Sequence, residues 1–194
     1  MPPQTIAAVL LVPWIGRWCP GPGLRLFSDL KAALGALPFL AEDLGELDAS
    51  VHELRRACGF PGMRVLQFAF DGDAANLHLP SHHDPECVVF TGTHDNPTTR
   101  QWWSESSAEQ RAQVCQTLGV DGSDIVWDLI AAAFHSPASL AIVPLQDVLA
   151  LDERARMNVP GVASGNWSWR VREAALTRDV AARLAALVAA SNRG

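Results

Sequence analysis

Residues 88–99 read VVFTGTHDNPTT. An apolar run, Val88-Val89-Phe90, breaks off and gives way to Gly92, Thr93, His94, Asp95, Asn96 and Pro97. A short continuous apolar run bounded by a turn signal has the pattern of a buried strand. Three more runs share it: Pro38–Ala41, Met63–Phe70 and Leu140–Leu145. Helical patterns lie between and around them. Leu24, Phe27, Leu30 and Leu34 recur at helical spacing before Gly35, and Val51, Leu54 and Cys58 do so before Gly59. Ser106-Ser107-Ala108-Glu109 opens a helix that runs to Leu118, with Gly119 as its stop. Trp127, Ile130 and Phe134 mark another helix. Val180, Leu184, Leu187 and Val188 mark a last one, capped by Thr177. Strands alternating with helices predict an α/β fold with a parallel sheet covered on both faces. No repeat is visible. Residues 156–170 read as one long ordered loop, and no domain boundary is expected between residues 16 and 190.

In parallel α/β folds, working residues gather where strands end. Each candidate strand here is followed by a carboxylate: Glu42-Asp43, Asp71, Asp95 and Asp147. Asp43, Asp71 and Asp147 can equally cap helices or build turns. Glu42 is a poor N-cap residue and directly abuts an apolar run, which favours a chemical role. His94-Asp95-Asn96 before a proline can form a turn on side-chain hydrogen bonds, or a site. His82, His83, Glu86 and His94 are near in sequence, but their spacing matches no standard metal-ligand pattern. Two carboxylates from neighbouring strands suit glycoside chemistry, in which one protonates the departing oxygen and another stabilises the oxocarbenium-like transition state. A sugar site also wants aromatic faces. The chain has seven tryptophans and no tyrosine. Trp102 and Trp103 are adjacent and not expected to face one core together, so one is a candidate for an exposed sugar platform. Trp167 and Trp169 lie in the long loop.

Bulk properties narrow the classes. The chain has 194 residues, 48% of them hydrophobic, enough for one ordinary domain with a sizeable core. Its net charge of −6 argues against a nucleic-acid partner. Lys31 is the sole lysine. The longest apolar run, Ile6–Val12, ends at Pro13 and is too short to span a bilayer. No basic segment precedes it, so a signal peptide is not expected. Cys19, Cys58, Cys87 and Cys115 form no paired motif, which fits reduced thiols in a cytoplasmic protein.

At this point a resemblance emerges. Gly16-Arg17-Trp18, Pro22-Gly23, LAEDLG (40–45), PGMRVLQFAF (61–70), TGTHDNPTT (91–99), VPLQDVLAL (143–151), RMNVPG (156–161) and GNWSWR (165–170) occur in the order and spacing of the 4-α-glucanotransferase family, the amylomaltases or disproportionating enzymes. The chain resembles the C-terminal part of a member, from about residue 16 onward, while residues 1–15 do not match. The resemblance implies an α-amylase-like (β/α)8 TIM barrel of which only the second half is present. It implies retaining transfer of α-1,4-glucan segments between malto-oligosaccharides, or starch- and glycogen-derived glucans, without metal or cofactor. By motif position Glu42 resembles the general acid/base and Asp95 the transition-state carboxylate. His94 and Asn96 beside it, Asn158, Asp71 and Trp102 are substrate-binding candidates. Arg64 stands where the family commonly has lysine, and Pro97 where it commonly has aspartate.

The family's nucleophile is the aspartate of an Arg-x-Asp-His motif, which this sequence lacks. Without it a covalent intermediate has no carboxylate to form on. A whole barrel takes roughly 250 residues, so an incomplete chain, inactive unless an N-terminal half joins it, is expected. A non-catalytic glucan-binding or interaction role is the alternative, with a metal-dependent hydrolase a distant third. Half a barrel also leaves open strand edges near Leu40 and Val143, which invite pairing with another chain.

Overall fold

The structure, a computed structural model, describes residues 19–45 and 47–193. The apolar run Ile6–Val12, the unmatched segment 1–15 and the Gly16-Arg17-Trp18 stretch lie outside the described residues. The chain divides into two compact units, residues 1–63 and 64–194. The sequence pattern had suggested no boundary there, because the division falls inside a strand, β1 (Gly62–Val65), with no linker composition to mark it.

In the first unit, α1 (Leu24–Leu34) is followed by α2 (Ala49–Cys58). Asp48 starts α2 by accepting from the backbone N–H groups of Ser50 (2.9 Å) and Val51 (3.3 Å). Gly59 ends it at φ 70°, a left-handed conformation cheap only for glycine. Phe27 and Phe39 meet Phe60 edge-on, with centroids 5.1 and 5.4 Å apart. Residues 38–41 do not form the expected strand. Ala41 donates a backbone bond to Pro61 at 3.0 Å, but Phe39 and Leu40 stay exposed. Among the described residues this apolar run has no neighbouring ladder, and it remains a loop.

The second unit holds the hydrophobic core. The sheet order is β1-β2-β3, with β2 at Cys87–Phe90 and β3 at Leu140–Ile142. β2 and β3 are parallel, with Val89 opposite Ala141. The run expected to continue as a strand to Phe70 instead turns into a single 3-10 turn at Leu66–Phe68. The Gln67 N–H still bonds to the Thr91 carbonyl at 3.3 Å, so the turn stays beside the end of β2.

The link from β2 to β3 contains α3 (Thr99–Glu105), α4 (Ala108–Leu118) and α5 (Ile125–His135). Ser107 caps α4 through the Gln110 N–H, and Gly119 closes it at φ 68°. α5 buries Ile125, Val126, Trp127, Leu129, Ile130, Ala133 and Phe134 against Leu66, Phe70 and Val89. A helix apolar nearly all round is a core helix. After β3, Pro144 starts the short α6 (Leu145–Val148). The last helix, α7 (Arg178–Ala190), is capped by Thr177 and lays Val180, Leu184, Leu187 and Val188 on the core. Arg183 covers the Trp127 ring at 4.1 Å and pairs with Asp124. No helix among the described residues is long and apolar enough to cross a membrane.

Candidate active site

The loop after β2 is built from its own side chains. The Asn96 Oδ1 accepts from the Thr93 N–H (2.9 Å) and hydroxyl (2.8 Å), and the Asp95 N–H donates to the Thr93 Oγ1 at 3.2 Å. Asn96 therefore spends its carbonyl oxygen on shaping the turn. Gly92 permits the tight approach: a Cβ there would lie 2.7 Å from Gln67 Nε2 and 3.3 Å from the Asn96 Cβ. Gln67 Nε2 in turn donates to the Pro97 carbonyl at 3.1 Å.

Both ends of this loop converge on one buried carboxylate, Asp147 of α6. Thr91 donates its hydroxyl to Asp147 Oδ2 at 2.6 Å. Thr99 donates its N–H to Oδ1 and its hydroxyl to Oδ2, each at 2.8 Å. Burial raises the Asp147 pKa, and the bonds from Thr91 and Thr99 oppose that shift. The strand-end carboxylate is thus a clamp on the loop.

The loop presents Asp95 outward. Its side chain is 46% exposed and that of His94 53%, open enough for a ligand to reach both. Asp95 Oδ1 accepts from Asn158 Nδ2 at 2.6 Å and lies 3.4 Å from His94 Nε2. The Asn158 N–H bonds to the His94 carbonyl at 3.1 Å. Arg156 fastens the two segments, donating to the carbonyls of Asp95 (2.8 Å) and Asn158 (3.0 Å). The Trp167 ring lies 5.0 Å from the His94 ring, inclined by 42°. Asp95, His94 and Asn158 are thus brought together although 63 residues separate Asp95 from Asn158. Arg156 and Trp167 were not singled out as site residues. Their signals were the motifs RMNVPG and GNWSWR, in which they lie, and for Trp167 its aromatic face in the long loop 156–170.

Other candidates lie elsewhere. Asp71 is exposed and accepts from the Asp73 N–H at 3.0 Å. Hydrogen bonds from the Asn76 side chain and from Asp73 hold its carboxyl below the usual range, as in a turn-forming aspartate. Trp102 and Trp103 both pack against the core, correcting the expectation that adjacent tryptophans cannot share it. They manage it by different contacts: Trp102 tilts against Phe70 at 6.1 Å, and Trp103 lies under the Arg111 guanidinium at 5.4 Å.

Among the described residues no group of three or more His, Cys, Asp or Glu side chains is placed to hold a metal ion. His82 bonds to the Asn76 carbonyl at 2.8 Å, and His83 is buried between Ser136 and the His78 carbonyl.

In the first unit, Glu42 is exposed while the next residue is an anchor. The Asp43 side chain, 3% exposed, accepts from the Met63 N–H at 2.7 Å and lies 3.2 Å from Arg55 Nε. A Cβ on Gly62 would collide with that carboxylate, so glycine makes the anchor possible. Asp43 is thus held inward while Glu42, the residue before it, stays exposed.

Residues 13–177 match the family model described as 4-alpha-glucanotransferase. The 4-alpha-glucanotransferase of Thermus thermophilus is 42% identical over 186 residues, which cover 92% of this chain and 37% of that protein. The chloroplastic/amyloplastic 4-alpha-glucanotransferase DPE1 of Arabidopsis thaliana is 47% identical over 82% of this chain and 28% of its own length. Among solved structures, the amylomaltase from Streptococcus agalactiae in complex with acarbose superposes with a TM-score of 0.87 at 32% identity, covering 92% of this chain and 37% of that one. The chain spans about a third of the length of these relatives.

Proposed function

We infer the function from one premise: the chain belongs to the 4-alpha-glucanotransferase family. It carries part of the machinery for retaining transfer of α-1,4-glucan segments between malto-oligosaccharides. Glu42 acts as general acid, giving its proton to the departing glycosidic oxygen, and then as general base toward the 4-hydroxyl of the acceptor glucan. Asp95 binds the hydroxyls of the reacting sugar and stabilises the positive charge of the transition state. His94 and Asn158 share that contact, and Asn158 orients the Asp95 carboxylate. The covalent glycosyl ester between the two half-reactions needs a nucleophilic carboxylate. The family's Arg-x-Asp-His segment would supply it, and this sequence has no such segment.

The observation that carries this reading is the half-exposed Asp95 carboxylate, held by Asn158 beside His94 at the end of a parallel strand. A carboxylate, an imidazole and an amide at one open spot suit a sugar's hydroxyl edge. The parallel β2–β3 pair, with its linking helices, is read as a piece of the second half of a (β/α)8 barrel. Starch- and glycogen-derived glucans are the natural substrate class. The four cysteines form no paired motif along the chain, in keeping with a reducing, cytoplasmic location.

Calorimetric titration of the 194-residue chain with maltoheptaose tests the binding half. Binding is expected, weakened about tenfold or more in Asp95→Asn, since a charge-assisted hydrogen bond contributes about 1.5–3 kcal/mol. Incubation with maltotriose should release no glucose from the chain alone. Adding a fragment that bears the family's Arg-x-Asp-His segment should restore transfer. Turnover by the chain alone would overturn the division of labour. Sugar binding without restored transfer would favour the non-catalytic glucan-binding role.

A further inference from the structure

We propose that Trp167 is a rigid stacking platform for an α-linked glucosyl unit bound next to Asp95, an inference that rests on the glucan-handling role above. Trp167 adopts φ 59°, a left-handed conformation in which a bulky side chain is strained. Its surroundings hold it there from both sides. Its N–H donates to the Met157 carbonyl at 2.8 Å. Its own carbonyl accepts from Arg170 Nη1 at 2.9 Å, and the same nitrogen also donates to the Trp169 carbonyl at 2.7 Å. The preceding residue, Asn166, braces the loop by accepting from the Val159 N–H and donating to the carbonyls of Val159 and Val162.

All this fastening acts on the backbone. The ring itself is left open: Trp167 is 53% exposed. A strained backbone that supports a buried ring would have a packing explanation. One that aims a large apolar ring at solvent has none, and strain of this kind is retained where a side chain must be aimed. The ring is aimed beside His94, whose neighbour Asp95 is bonded to Asn158. A pyranose has a flat face of C–H groups and an edge of hydroxyls. The Trp167 face matches the first, and the Asp95-His94-Asn158 group matches the second.

Two variants and two measurements decide the matter: Trp167→Gly and Trp167→Phe, each titrated with maltoheptaose and each melted thermally. Glycine relieves the strain and removes the ring. It should weaken binding about five- to tenfold, the scale of an aromatic contact, and leave the melting temperature no lower than that of the parent chain. Phenylalanine keeps a flat face and should stay within about twofold of the parent in affinity. If Trp167→Gly binds as tightly as the parent, the platform is wrong while the glucan-handling role stands. If its melting temperature drops along with its affinity, the ring is a packing element and the proposal falls. A parent chain that binds no maltoheptaose would overturn both.

Discussion

At the scale of the residue, burial and hydrogen-bond direction set what each ionisable group can do. His83 is the clearest case. A carbonyl can only accept, so His83 Nε2 carries the proton toward the His78 carbonyl (3.0 Å), and Nδ1 accepts from the Ser136 hydroxyl (2.7 Å). Burial lowers its pKa from the ordinary 6.5, so the neutral ring is the folded form. A depressed folded pKa contributes stability above the unfolded value and loses it as pH falls through the folded one. The unfolding free energy of the parent chain, relative to His83→Gln, should therefore decline as pH drops below about 6.5. Chemical denaturation at several pH values from about 7.5 to 5 measures it; a constant difference would refute the assignment. The sequence showed His83 only as one of several nearby histidines. Its two partners, one of them 53 residues away, are what remove it from any ligand-binding role.

The element scale concerns how the loop between β2 and α3 is held. Asp147 ties Thr91 at the end of β2 to Thr99 at the start of α3, so the segment carrying His94 and Asp95 is fixed at both ends. Thr99→Val keeps the shape and the backbone bond but deletes one donor to Asp147. A cost of about 1–3 kcal/mol is expected, the usual penalty for an unsatisfied buried polar group. The pH dependence has a definite sign. Asp147 already has a raised pKa, so its contribution is full below the ordinary aspartate value and falls as pH rises through the raised one. Losing a donor raises that pKa further. The stability gap between parent and Thr99→Val should therefore widen from acid toward neutral pH, and amide hydrogens of residues 93–96 should exchange faster in the variant. A gap independent of pH would argue against the clamp. Sequence pattern had left Asp147 open between turn residue and site residue, because a pattern shows a carboxylate's neighbours along the chain and not its partners 48 and 56 residues away.

At the scale of the whole chain, β3 stands at one end of the sheet order, and Leu140 (50%) and Ile142 (38%) are exposed on it. An apolar strand at the end of a sheet is a template for pairing. The 194-residue chain should associate as its concentration rises in sedimentation velocity, and Leu140→Lys with Ile142→Lys should suppress this. At exposed positions each change should alter stability by no more than about 0.5 kcal/mol. A sedimentation coefficient independent of concentration would count against it. The same contrast of local and non-local runs through the molecule. Periodicity, caps and glycine stops by themselves determined α1, α2, α4, α5 and α7, and the abrupt end of an apolar run determined β2. These follow from interactions within a few residues along the chain. Motif order determined the family. Only the tertiary structure decided that residues 38–41 lack a ladder, that Trp102 and Trp103 share one core, that Asp147 is a clamp, and that Asn158, Arg156 and Trp167 meet Asp95 and His94. Each of those depends on groups tens of residues apart, and a pairing of that kind exists only once burial of the core has brought the segments together.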